Sequence, residues 1–409
     1  MRLGLNLRQG LCWRIMAGMG PSKLPEIRER DLVGFKHFKK LLPLLDRLHH
    51  DATHRDRAGN RRLHFDQYTA LILLYFFNPI LTSLRGIQQA STLQKVQRQL
   101  RCQRAALGSL SEAARVFDSD LLRGVIGELA GRLELMAHDT RLDQVRGVLT
   151  LVDGTLLKAL PKLTEAMYQS DHAKAFKLHT HFELLKGVPV RMDLTDANAS
   201  ERQMLSKTLL PDRVYVKDRG YAAFWLFDRI QAAGSSYVCR VRDNSVCQVE
   251  QTFELSPDAK LSNVVSDQSV RMNQGKTKLR LVRIRCTPHR KPYKTGRGGP
   301  EQGDALWIAT NLWDVPAEVI ALIYQRRWAI EIFFRFFKHV LGCRHLLSHN
   351  RNGIEIQTYM AIIASMLIAL WTGRQPRKRT SEMICFYFCG PADEDELVAH
   401  IAKLKKQTG

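Results

Sequence analysis

Between Phe35 and about Arg146, apolar residues recur three and four positions apart, as in LLPLLDRLHH (41–50) and FDQYTALILLYFF (65–77), with polar breaks such as DRAGNRR (56–62) between them. That period predicts a helical region. At Gly147 it gives way to runs of β-formers. GVLTLVDGT (147–155) reads as a buried strand with the Asp153 carboxylate at its tip, and RVYVKDRGY (213–221) as another, ending at Asp218. Between them FKLHTHFELL (176–185) and VPVRMDLTDAN (188–198) predict a hairpin around Lys186-Gly187, followed by a short helix over ASERQMLSKTLLP (199–211). The helical YAAFWLFDRIQAAG (221–234) and the strand SSYVCRVR (235–242) follow. Residues 243–304 interrupt this order with short alternating segments and the basic, Gly-rich HRKPYKTGRGGP (289–300), and predict a small β-rich insertion. ALWIATN (305–311) resumes the core, and one long helix is expected from Pro316 to about Val340.

Charge narrows the function. The 409 residues carry 62 Lys and Arg against 40 Asp and Glu, a net +22. So large an excess points to a polyanion, and to nucleic acid first, because each neutralised phosphate releases counterions. The basic stretch 83–104 (Arg85, Lys95, Arg98, Arg101, Arg104) contains no acidic residue; it is either a solvated helix face or a phosphate contact. The apolar run YMAIIASMLIALW (359–371) is too short to span a bilayer and reads as a buried helix, so no membrane association is expected. The eight cysteines form no CxxC pair, which fits reduced thiols in the cytoplasm.

The expected helix after Pro316 carries the chemistry. On a wheel of about 100° per residue, Tyr324, Arg327, Glu331, Arg335 and Lys338 share an arc of roughly 80°, while apolar residues cover most of the rest. That stripe faces either solvent, as a ladder in which Glu331 pairs with Arg327 and Arg335, or a polar cleft. Asp153-Gly154 alone would be an ordinary turn. Two aspartates ending buried strands in an α/β order, with a glutamate on a covering helix, form a more specific set, because such strand ends open into the ligand crevice. Three hard oxygen donors suit Mg²⁺ or Mn²⁺. Two such ions can activate a water or 3′-hydroxyl and stabilise the leaving oxygen of an in-line phosphoryl displacement, with surrounding Arg and Lys, Arg335 among them, clamping phosphates.

Tyr324, Arg327, Glu331 and Lys338 spell Y-x2-R-x3-E-x6-K, which resembles the signature of bacterial transposases of the insertion sequence 4 family; VDGT at Asp153 and KDRGY at Asp218 resemble that family's first two catalytic blocks. The resemblance covers about Gly147 to Leu370. It implies an RNase H-like catalytic core (147–372) with a β-rich insertion before the last catalytic helix, preceded by an all-α DNA-binding domain (35–146). A polar lead-in (1–34) and a basic loop with a C-terminal helix (373–409) would flank them. It further implies metal-dependent cleavage and transfer of DNA strands. Asp153, Asp218 and Glu331 become ligands of two Mg²⁺ or Mn²⁺ ions, and Tyr324, Arg327 and Lys338 become contacts to transposon-end phosphates. The partners would be double-stranded DNA, both transposon ends and target, and a second copy of the chain in a synaptic complex, in a bacterial, nucleoid-associated setting. Some relatives stack a flipped base on a tryptophan near the strand before this helix, and Trp307 is the nearest here, although a core or strand-face role competes with that reading. Asp171, Asp193 and Asp196 read as turn or surface residues. His179 and His181 share a strand face but find no third zinc ligand at a familiar spacing, and RQPRKRT (374–380) reads as a solvated loop. Two alternatives share parts of this reading: another RNase H-like nuclease or resolvase, and a transposase remnant that only occupies DNA.

Overall fold

The computed structural model describes residues 42–51, 61–136, 138–158, 168–170, 173–243, 245–272, 276–285, 305–339 and 346–406. The lead-in 1–34, Asp171 and the basic segment 289–300 lie outside the described residues. The first part is helical, as its period requires. Short helices surround α1 (Phe65–Phe77), which is buried almost throughout, and α2 (Leu121–Arg132) closes this region. The basic stretch 83–104 forms two short helices, Leu84–Ala90 and Gln94–Leu100, with Arg85, Arg98, Arg101 and Arg104 exposed.

The rest is built on one large sheet. Strands β1 (Val148–Lys158), β2 (Tyr168–Ser170), β3 (Ala173–Glu183) and β4 (Val188–Asp196) precede helix α3 (Glu201–Lys207). Then come β5 (Arg213–Lys217), α4 (Phe224–Ala232) and β6 (Ser236–Val241). The segment expected as an insertion supplies β7 (Gln248–Thr252), β8 (Val264–Met272) and β9 (Thr277–Arg285); these extend the main sheet through β10 (Ala305–Thr310). The sheet order is β2-β3-β1-β5-β6-β10-β9-β8-β7, with β4 also on β3. Only β1–β5 and β5–β6 pair in parallel among the described strands, and each crossover carries a helix, as parallel neighbours require.

Alternation along the strands divides their side chains between two cores. Leu151, Val214, Val216 and Ile308 face one that also takes in the N-terminal helices and the last helices of the chain. Val152, Tyr215, Tyr237 and Ala309 face the other, under Leu205 of α3 and Leu226, Phe227 and Ile230 of α4. On the first side lie α5 (Ala317–Arg326), α6 (Trp328–His339) and α7 (Arg351–Thr372). By length and composition α7 could cross a membrane, yet 83% of its apolar window is buried inside the protein, so it is a core helix here. The C-terminal segment holds two helices where one was expected, α8 (Lys378–Cys389) and α9 (Glu394–Lys406), so Lys378 to Thr380 are helical rather than loop.

Two polar links fix these layers. Arg280 on β9 donates to both oxygens of Asp267 on β8, at 2.9 and 2.7 Å, and to the carbonyls of Leu312 and Val315 just before α5. Asp193 is not a turn residue: it is buried in mid-β4, bonded to Arg191 and to Arg123 of α2, and Arg123 lies over the Tyr359 ring of α7. Burial alone would raise its carboxyl pKa, but the two guanidiniums outweigh that and hold it below the ordinary value.

Candidate active site

Strands β1 and β5 run parallel with Val148 beside Arg213 and Leu151 beside Val216. The same offset, carried two residues on, sets Asp153 beside Asp218, about 5 Å apart by the ordinary spacing of neighbouring strands. Asp153 shares the parity of Leu151, so its side chain belongs to the face covered by α5–α7; Asp218 lies one residue past the end of β5. Asp218 ends β5 as expected and accepts from the Gly220 amide at 2.8 Å at the start of a 3₁₀ turn. Asp153 departs from expectation. It is not at a strand tip: β1 continues to Lys158, and Asp153 and Gly154 pair with Thr180 and His179 of β3. Asp-Gly is here a point where β5 leaves off and opens one edge of β1, not a turn.

Burial dominates the Asp153 carboxyl, pushing its pKa up to about 7; Asp218 and Glu201 add to the rise, while the Gly154 amide (2.8 Å) and Arg327 oppose it. A half-buried acid with a like charge beside it is the arrangement that binds a proton, or another cation, most avidly.

The expected single helix is broken at Arg327. The Tyr324 carbonyl accepts from Arg327 N–H, and the Arg327 carbonyl from Ile330 N–H, so one tightened turn separates α5 from α6. Arg327 donates to Glu331 at 2.6 Å and also bears on Asp153 electrostatically. It is thus tied to Glu331 by a hydrogen bond and to Asp153 by charge. Tyr324 is half-buried, with the Arg327 guanidinium over its ring at 5.9 Å, and it lies in the field of Asp218. Lys338 is half-buried further along α6, about two turns beyond Glu331. Arg335 is exposed. Trp328 and Ile332, which the continuous wheel placed on a buried side, are exposed. Trp307 lies on β10 against the second core, with the Arg283 guanidinium 4.1 Å from its ring centre.

The two histidines are core residues. His179 and His181 are buried and bonded to Thr195 and Thr208 hydroxyls, and burial pushes both pKa values down to about 4, so they are neutral. Among the described residues, no three His, Cys, Asp or Glu side chains are drawn together closely enough to hold a metal ion, the expected Asp153, Asp218 and Glu331 included. Asp218 borders a cleft of about 570 Å³ that Arg202, Arg219 and Arg242 also line. Sequence reasoning missed Glu201, whose carboxylate lies against Gly154; a first-turn acid on a short helix after a Ser cap gives no signal beyond ordinary capping.

Residues 146–367 match the family of the transposase DDE domain, and the chain belongs to that family. It is similar to y4zB of Sinorhizobium fredii, a protein named as a transposase, at 29% identity over 60% of this chain and 65% of the relative. It is similar also to a protein named as the transposase of insertion sequence element IS5377 of Geobacillus stearothermophilus, at 27% identity over 58% of this chain and 60% of the relative. A third, named for insertion sequence element IS4SA of Synechocystis sp., is 24% identical over 75% of this chain and 83% of its own length. The matched stretch thus spans somewhat under two thirds of the first two relatives. The resemblance to insertion-sequence transposases drawn from the Tyr-Arg-Glu-Lys spacing is borne out at the level of the family.

Proposed function

We propose that this chain is a DNA transposase that binds the ends of a mobile element and cleaves and transfers their strands. Residues 147–372 would act as an RNase H-like catalytic core and the basic helices of 35–146 as the part that reads the ends. The observation that carries this reading is the alignment of Asp153 with Asp218 on adjacent parallel strands, beneath the helix that presents Arg327 and Glu331.

The donor set suits hard divalent cations: it is made of carboxylate oxygens, two of them on neighbouring strands and one of them raised in pKa by its surroundings. Asp153, Asp218 and Glu331 would hold two Mg²⁺ or Mn²⁺ ions, which when bound supply a nucleophilic oxygen at neutral pH and charge for the leaving oxygen. The chain's own groups do the rest. Arg327 holds Glu331 in a fixed rotamer and keeps net negative charge near Asp153 in check. Tyr324, Lys338 and Arg335 position phosphates by charge and hydrogen bonding, and the net +22 draws the polyanion in. Trp307 would have to exchange its Arg283 contact for a base in order to stack one. Two copies of the chain would bring two ends together.

Asp153→Asn should lower cleavage of an end-containing duplex at least a hundredfold, about 2.7 kcal/mol in the barrier, while the affinity for that duplex changes by no more than about twofold. Cleavage at the wild-type rate in Mg²⁺ would overturn the assignment.

A further inference from the structure

We propose that a cleft beside the Arg327 turn is a second DNA-contact site, taking a backbone phosphate of the duplex between Arg326, Arg374 and Arg377; the inference rests on the transposase reading above. The cleft, of about 440 Å³, opens where separate segments meet: the link from the helical first part to β1, the β3–β4 turn, the break between α5 and α6, and the α7–α8 loop. It lies by the start of β1, since the Leu184 amide donates to the Leu149 carbonyl and the Met136 amide to the Leu185 carbonyl. From Leu149 to Asp153 the strand runs about 13 Å. The cleft is therefore separate from the carboxylates, yet within reach of a duplex held there, whose backbone carries a charge about every 1.7 Å of axis. At the break itself, adjacent guanidiniums serve the two places: Arg327 donates to Glu331, while Arg326 lines the cleft.

The frame of the cleft is fixed. Gly373 ends α7 at φ +66 and donates to the Ala369 carbonyl at 2.8 Å, and Pro376 is buried. The Gln375 side chain reaches the Ala329 carbonyl of α6 at 3.5 Å and packs on the β3–β4 turn, where a Cβ added to Gly187 would lie 3.1 Å from its own. The loop carrying Arg374 and Arg377 is thereby tied to α6 and to the sheet, and preorganised groups bind an anion without first losing freedom. The positive charge is also not consumed within the protein. Asp139 lines the cleft, but Arg141 donates to both of its oxygens, at 3.0 and 2.7 Å; these bonds foremost, with the Arg326 charge adding, lower its pKa to about 2. The His138 ring reaches the Met136 carbonyl at 2.9 Å and the Asp143 carboxylate at 2.7 Å; both partners only accept, so both ring nitrogens donate and the imidazole is a cation. Arg326 and Arg377 are exposed and form no ion pair among the described residues.

The competing reading makes these arginines solvated helix ends. Arg326 suits the C-terminus of α5, but Arg377, Lys378 and Arg379 stand at the start of α8, whose first turn holds no acid. The helix dipole disfavours cations at that end. Helix stability therefore does not account for them, whereas a phosphate shared with Arg326 does.

The test measures binding of the full chain to an end-containing duplex in chelator, by fluorescence anisotropy over a series of salt concentrations. Arg326→Gln combined with Arg377→Gln should lower affinity at least about tenfold and flatten the log-log salt slope by about 1 to 2, the loss of one or two phosphate contacts. Its melting temperature should stay within a few degrees of wild type. Lys207→Gln combined with Lys260→Gln removes the same charge from exposed residues that do not line the cleft, and should change affinity by less than about threefold. Arg326→Lys combined with Arg377→Lys keeps the charge and should recover most of the affinity; Arg377→Gln alone carries the test if the double Gln variant does not fold. Equal losses from the arginine and lysine pairs would overturn the proposal and leave these arginines part of the general field. The two levels separate on the wild type: if it binds the duplex and the pairs behave alike, only the second contact falls. If it does not bind, the transposase reading falls first.

Discussion

Asp153 and Asp218 feel each other's charge because β1 and β5 pair in parallel up to Leu151 and Val216, two residues before each carboxylate. Neither residue creates this by itself; the parallel pairing does. Such proximity is costly for a chain that must keep both acids ionised, and the cost is measurable.

Burial, with Asp218 and Glu201 adding to it, raises the Asp153 pKa from 3.8 to about 7. Between those values the folded protein keeps a proton that the unfolded chain has released, so stability falls as pH rises through this window and is lowest above it. In chelator at pH 8, Asp153→Asn should therefore unfold at higher denaturant than wild type, by on the order of 2–4 kcal/mol, and the gain should vanish near pH 4. A variant less stable than wild type at pH 8 would show that the carboxylate is not strained by its surroundings.

Lys338 distinguishes a phosphate clamp from a ladder of surface charges. It lies about two turns beyond Glu331, too far for a helical pair with it. Lys338→Ala should lower cleavage at least tenfold, about 1.4 kcal/mol, while moving the melting temperature little. Unchanged cleavage would return the C-terminal half of α6 to a structural role. Arg327→Ala is the less decisive variant, since it releases Glu331 from its 2.6 Å bond as well.

Lys217, next to Asp218, points into the second core. It is fully buried, its ammonium has no hydrogen-bond partner, and it lies 4.9 and 5.5 Å from the ring centres of Phe227 and Tyr237. Burial lowers its pKa from 10.5 to about 8. The unfolded chain holds the proton more tightly, so stability should rise as pH climbs from about 8 to 10.5. Lys217→Met, of similar volume, should stabilise the protein at pH 7 by about 2–3 kcal/mol, less so at pH 10. Urea titrations at both pH values check this, and a destabilised variant would mean that the ring contacts outweigh the buried charge.

Several local features were legible because they depend on neighbours in sequence. The β3–β4 hairpin turns where Lys186-Gly187 placed it, Gly187 having φ +65. β5 ends at Lys217 with Asp218 next, α3 and α4 fall within their expected segments, and α7 covers the expected run 359–371 but starts earlier, at Arg351. Other features depend on partners far along the chain. Asp-Gly at 153–154 satisfies a turn locally, yet β3 pairs through it and makes it strand. The helical wheel over 316–340 assumed one unbroken helix buried on most sides, whereas the chain tightens at Arg327, and Trp328 and Ile332 are exposed. Asp193 read as a surface acid because Arg123, which holds it, lies on a helix of the preceding region.

Composition, period and the Tyr-Arg-Glu-Lys spacing were enough to determine a basic α/β protein with a helical first part, and to single out Asp153, Asp218 and Glu331, since charge and side-chain period are properties of the chain alone. Only the tertiary structure decided that β7–β9 join the main sheet, that Arg327 turns Glu331 toward itself, and that Glu201 reaches Gly154 from the opposite face. Those outcomes rest on strand register and on which helix covers which face, and both are settled by long-range pairing and burial that no local pattern encodes.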